Sequence, residues 1–132
     1  MKELVVLSEE DIIYCYEECI GVKLYTRLPT RLKEADELAL LKHYKKNGGY
    51  DPSERRVAVY LPNIRTLREY KVTLFHEFAH VIDDLLFDER YTEKQIEKIA
   101  QATYQTNRSL FEFIKEMYQL KDTKFEEVRW KK

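Results

Sequence analysis

Residues 66 to 87, "TLREYKVTLFHEFAHVIDDLLF", contain neither glycine nor proline, and their apolar residues recur at helical spacing. They predict one long helix opened by Thr66, with Glu69 three residues on in capping-box spacing. At about 100° per residue, Glu69, Thr73, His76, His80 and Asp83 share one narrow sector, with Asp84 at its margin. Leu67, Leu74, Phe78, Val81 and Leu85 take the opposite side. A helix of this kind packs its apolar face on a sheet and turns its polar stripe toward a cleft.

The other elements follow from local signals. Ser8 before Glu9, Glu10 and Asp11 reads as a capped start, and Gly21 as a stop, for a first helix over about 9–20 with Ile12, Ile13, Tyr16 and Ile20 on one side. "VKLYT" (22–26) alternates like a short strand, and a second helix is expected from about Arg31 to Lys46, closed by Asn47-Gly48-Gly49. After the turn residues "YDPS", "RRVAVYLP" (55–62) is the best strand in the chain. Thr92 with Gln95, and Ser109 with Glu112, repeat the capping signal for helices over about 93–104 and 110–120, and a short helix is expected from Thr123. The fold class expected is α+β: a helix-rich domain with a small sheet.

The chain has 132 residues, the size of one domain, so 1–132 is expected to fold as a unit around its own core. Lysine and arginine number 23 against 24 acidic residues, and the two signs are mixed along the chain, which gives no sign of a nucleic-acid or anionic-membrane partner. The apolar run Leu4–Leu7 is too short for the core of a signal peptide, and no stretch approaches the roughly 20 apolar residues of a membrane span. The expectation is a cytoplasmic protein, although a chain processed from an exported precursor would look the same. Cys15 and Cys19 would share a helix face four residues apart, a poor geometry for a disulfide, and are expected to be reduced thiols.

Within the long helix, His76, Glu77 and His80 form H-E-x-x-H. Two imidazoles one turn apart aim their ring nitrogens at a common point, and zinc takes such nitrogens at about 2.0–2.1 Å. Glu77, beside the first histidine, reaches the ion's water without being a ligand and serves as general base. A pair of surface histidines is the structural alternative. His43, in "LKHYKK", reads as solvated. A catalytic zinc site normally has three protein ligands, and with no histidine after His80 the third must be a carboxylate. Glu93, Glu97, Glu112, Glu116, Asp122, Glu126 and Glu127 all lie downstream, and spacing alone does not choose among them.

"HEFAHVIDD" (76–84) and "YQTNRSLFEFIKEMY" (104–118) resemble the two signatures of the zinc peptidases of the anthrax lethal factor catalytic-domain type, which include the Pro-Pro endopeptidases. The resemblance implies Zn2+ held by His76, His80 and Glu112, with Tyr104 stabilising the oxyanion of the tetrahedral intermediate and Glu116 one turn beyond Glu112. It further implies a zincin-like fold in which the strand at 55–62, preceding the H-E-x-x-H helix, is an edge of the small sheet to which an extended protein or peptide substrate adds by main-chain hydrogen bonds. Structural alternatives remain beside these roles: Glu112 completing the cap at Ser109, Tyr104 packing only, and Arg55 and Arg56 protecting the edge. The function expected is zinc-dependent endopeptidase. Two other readings are a phage- or mobile-element-type regulator peptidase that cuts a repressor, and an inactive zinc-binding interaction module. Oligomeric state leaves no mark on the sequence.

Overall fold

A computed structural model of the chain describes residues 3–26 and 46–121. The helix expected over 31–46 falls outside these residues except for Lys46, as does the one expected from Thr123. The described residues form an α+β fold of four helices and a three-stranded mixed sheet, in the order α1 (Glu9–Glu17), β1 (Gly21–Tyr25), β2 (Gly48–Asp51), β3 (Arg56–Tyr60), α2 (Leu67–Leu86), α3 (Glu93–Thr106) and α4 (Leu110–Tyr118). A single 3-10 turn, Leu61–Asn63, links β3 to the approach to α2.

α1 begins with a reciprocal cap in which the Ser8 hydroxyl accepts from Asp11 N–H and the Asp11 carboxylate accepts from Ser8 N–H at 2.9 Å. It ends earlier than expected. Cys19, not Gly21, takes the left-handed conformation (φ 63°), while Cys19 N–H and Ile20 N–H return to the carbonyls of Tyr16 and Cys15, both at 3.0 Å. This Schellman closure frees Gly21 to start β1. It also turns Cys19 outward while Cys15 stays buried; both are free thiols, and burial pushes Cys15 up to about 12. Ile12 and Cys15 face the core, whereas Ile13 and Tyr16 are exposed.

The sheet order is β1-β3-β2, with β1 parallel and β2 antiparallel to β3. The strand at 55–62 is therefore the central strand, not an edge. Its main chain is used on both sides, by Gly21–Tyr25 on one and Gly48–Asp51 on the other, and it cannot accept a substrate strand. Val57 and Val59 point into the main core, and Ala58 and Tyr60 join Tyr25 in a small cluster on the opposite face.

α2 is the hub. Tyr70, Leu74, Phe75, Phe78, Ala79, Val81 and Ile82 are all buried, so the middle of the helix is covered around most of its circumference and is open mainly along Thr73, His76 and His80, while Leu67 and Leu86 at its two ends are exposed. Thr66 caps it, accepting from Glu69 N–H at 3.1 Å, and the Glu69 carboxylate reaches back to Arg65 N–H at 3.5 Å. α3 has the full Thr92/Gln95 box. The Ser109/Glu112 box does not form, because Ser109 is itself helical in backbone conformation.

α3 returns along α2 as an antiparallel hairpin. Its turn is fixed by Asp83, which is 3% exposed and accepts from Arg90 N–H at 3.0 Å and Tyr91 N–H at 3.3 Å. Within that turn Asp88 and Glu89 are both left-handed, at φ 56° and 57°. Among the described residues no helix is long and apolar enough to cross a membrane.

Candidate metal centre

The hairpin decides which side chains meet the histidines. In two antiparallel helices joined by a short turn, residues about equally far from the turn face each other. His80 and His76, ascending α2, thus meet Glu93 and Glu97, descending α3. Glu93 Oε1 lies 2.6 Å from His76 Nε2, and the two Glu93 oxygens lie 3.2 and 3.0 Å from His80 Nε2. The ligating atoms of His76, His80 and Glu93 are all within 4.8 Å of one another, a group that can hold a metal ion.

The donor set fits such an ion. Three ligands at zinc distances in a tetrahedron stand about 3.3 Å apart, and Glu93 lies 2.6 Å from one Nε2 and 3.0 to 3.2 Å from the other. The widening needed falls on Glu93, whose side chain is 71% exposed and free to move outward. Without an ion the same contacts are hydrogen bonds between the rings and the Glu93 carboxylate. Burial works to lower the His76 pKa, but Glu77, Glu97 and Glu93 outweigh it and hold the ring above the usual histidine range. Burial likewise works to raise Glu93, and His80 and His76 overcome it, so its carboxyl lies below the usual range.

Glu77 lies one residue round the helix from His76, 6% exposed, in the same cleft. Its carboxyl has no hydrogen-bond partner among the described residues, and burial pushes it up to about 7. The facing wall is β2. A Cβ on Gly48 would lie 2.6 Å from the Ala58 carbonyl oxygen of β3, which rules out a side chain there, and its 3.2 Å and 3.5 Å distances to Thr73 Cγ2 and Glu77 Cγ show how near the strand also comes to α2. The cleft has a volume of 1020 Å3 and runs from Arg68 and Glu69, past the histidines, to Asp84 and Glu89.

Glu112 and Tyr104 do not join this cluster. Glu112 is exposed in the first turn of α4, where Leu110, Phe111 and Ile114 take the core-facing positions. Tyr104 shares the face of α3 that carries Glu93, but 11 residues further along, a rise of about 16 Å. Its ring is packed by the guanidinium groups of Arg68 at 5.2 Å and Arg108 at 4.3 Å. Glu116 is exposed on α4. Of the acidic pair after His80, Asp83 ties the turn and Asp84 accepts from the Tyr50 hydroxyl at 2.7 Å, and among the described residues the rings are hydrogen-bonded to Glu93 and Glu97 instead. The signal that points to Glu93 is the short connection between two well-capped helices, which puts the start of the second beside the last turns of the first.

No protein-family model, curated protein or solved structure matches the chain. Fold and site together therefore define a class only: an α+β protein whose two-histidine, one-glutamate group lies on a helical hairpin beside a buried glutamate.

Proposed function

We propose that the chain is a zinc-dependent endopeptidase of zincin type, with His76, His80 and Glu93 as ligands in place of the Glu112 that its resemblance to the lethal factor peptidases implied. The observation that supports this most is the convergence of the two Nε2 atoms and the Glu93 carboxylate in a cleft that also holds Glu77. When bound, zinc supplies a Lewis acid that acidifies a water and polarises the substrate carbonyl.

The chain's own residues do the rest. Glu77, with no competing hydrogen bond, takes a proton from the attacking water as the water oxygen bonds to the carbonyl carbon. It delivers that proton to the amide nitrogen as the C–N bond breaks, leaving a new carboxyl and a new amine. Substrate is proposed to be an extended protein segment laid along β2, which is an edge strand among the described residues and contributes Gly48, Gly49 and Tyr50 to the cleft wall.

The test is digestion of a diverse peptide mixture by zinc-loaded protein, read by mass spectrometry, beside Glu77→Ala. The wild type is expected to cut and the variant to bind zinc at near wild-type stoichiometry without cutting. Joint loss of zinc and cleavage in the variant would overturn the role given to Glu77. A zinc-loaded wild type that cuts nothing would move the reading to an interaction module.

A further inference from the structure

The two histidines are not held alike. His76 Nδ1 lies 2.8 Å from Glu97 Oε1, and the other Glu97 oxygen accepts from Gln101 Nε2 at 2.7 Å. Among the described residues the only hydrogen-bonding contact of His80 is that of its Nε2 with Glu93; its Nδ1 has no carboxylate behind it. Glu93, Glu97 and Gln101 are spaced i, i+4 and i+8 on α3, so they form a column beside the His76–His80 pair of α2. One helix thus carries both the carboxylate that would share the ion and the carboxylate that aims its partner.

We infer that Glu97, held by Gln101, is a positioning residue that fixes His76 as a metal ligand, and that His76 is therefore the better-organised of the two histidines. The inference rests on the metal-binding reading above. A carboxylate can only accept, so the Glu97 contact requires a proton on His76 Nδ1; the 2.6 Å contact with Glu93 likewise requires one on Nε2, and it is that proton which an ion would displace, leaving Nε2 as the donor atom toward the centre. The bond also stops ring rotation and makes the imidazole more basic. Gln101, itself half-buried, keeps Glu97 from turning to solvent.

Two readouts test this. In metal-free Glu93→Ala, which lacks the carboxylate that competes for the Nε2 proton, at a pH where both rings are neutral, long-range nitrogen–proton NMR should find His76 in its Nδ1-protonated form. Adding Glu97→Leu to that variant should reduce the population for His76 and leave His80 unmoved. Zinc affinity, measured by competition with a chromophoric chelator, should fall about 10- to 100-fold in Glu97→Leu. Glu97→Gln, whose amide oxygen still accepts from Nδ1–H, should recover most of the loss, and Gln101→Leu should give a smaller one. Thermal unfolding of the metal-free variants checks that they fold.

If adding Glu97→Leu to Glu93→Ala leaves the His76 tautomer unchanged, and folded Glu97→Leu alone binds zinc as tightly as the wild type, the inference is wrong while the metal site stands. If the wild type itself takes up no zinc, the metal reading and this inference fall together.

Discussion

The two ends of the α2–α3 hairpin use the same backbone geometry for opposite purposes. Near the turn, two imidazoles, two carboxylates and an amide face each other across the helix pair, with polar atoms at hydrogen-bonding distance. At the far end the facing side chains are Arg68 and Tyr104, a cation over an aromatic ring, and Arg108 covers that ring as well. The near end keeps donor atoms pointed at one another and open to the cleft. The far end spends its polar groups on packing. The antiparallel frame brings residues together at both ends, and only the side-chain chemistry makes one of them a site.

The strongest way to break this comparison is to remove the carboxylate that the near end presents and the one that it does not. Glu93→Ala should lower zinc affinity by more than about 100-fold, beyond the loss expected of an outer partner. It should also abolish the stabilisation that zinc gives the wild type, about 2.7 kcal/mol when free zinc is 100 times the dissociation constant. Metal-free stability should barely change, since Glu93 is exposed. Glu112→Ala should leave zinc affinity at the wild-type value. Chelator competition and thermal unfolding with and without zinc decide the matter, and the reverse pattern would restore Glu112 as the ligand.

Much of the frame was legible because it is local. Thr66, Thr92 and Ser8 mark helix starts through side-chain bonds to residues three positions away, and the strand around Val57 and Val59 shows in its own alternation. The polar stripe of α2 is likewise a property of one helix. Pairing and partner choice were not legible in the same way. Whether "RRVAVYLP" lies at an edge or in the centre depends on Gly21–Tyr25 and Gly48–Asp51 arriving from elsewhere, and nothing within the strand records that. Glu93 could be told from the other downstream carboxylates only by treating two helices and the turn between them as one object. The resemblance to a second signature at 104–118 drew attention to Glu112, three turns and a loop beyond the residues the hairpin brings to the histidines. The end of α1 was misplaced because Cys19 takes a conformation for which glycine is the usual choice.

A second prediction acts on the turn rather than on either end. Two consecutive left-handed residues without glycine, Asp88 and Glu89, are unfavourable by about 1–2 kcal/mol each, and Asp83 offsets this by collecting the main-chain N–H groups of Arg90 and Tyr91. Asp83→Ala leaves those donors without their acceptor and should cost about 1–3 kcal/mol, read from urea unfolding of metal-free protein. Because the turn sets where Glu93 begins α3, zinc affinity should fall as well, by less than in Glu93→Ala. A destabilised variant with full zinc affinity would show that the packing of α3 along α2, and not its turn, places the ligand.

The smallest effect is expected at the far end, and it is the most direct check on whether that end is packing alone. Tyr104 stands about 16 Å along α3 from Glu93, a separation that a tyrosine side chain does not span. Its contacts with Arg68 and Arg108 use the face of the ring, which phenylalanine also offers. Tyr104→Phe should therefore leave peptide cleavage, zinc affinity and stability close to wild type, whereas Tyr104→Ala should lower stability by removing the ring that two arginines cover. A drop in the catalytic rate of Tyr104→Phe with zinc affinity unchanged would mean that the hydroxyl acts on substrate after all. The hairpin would then have to bend toward its far end during the reaction, and the division of labour between its two ends would fail.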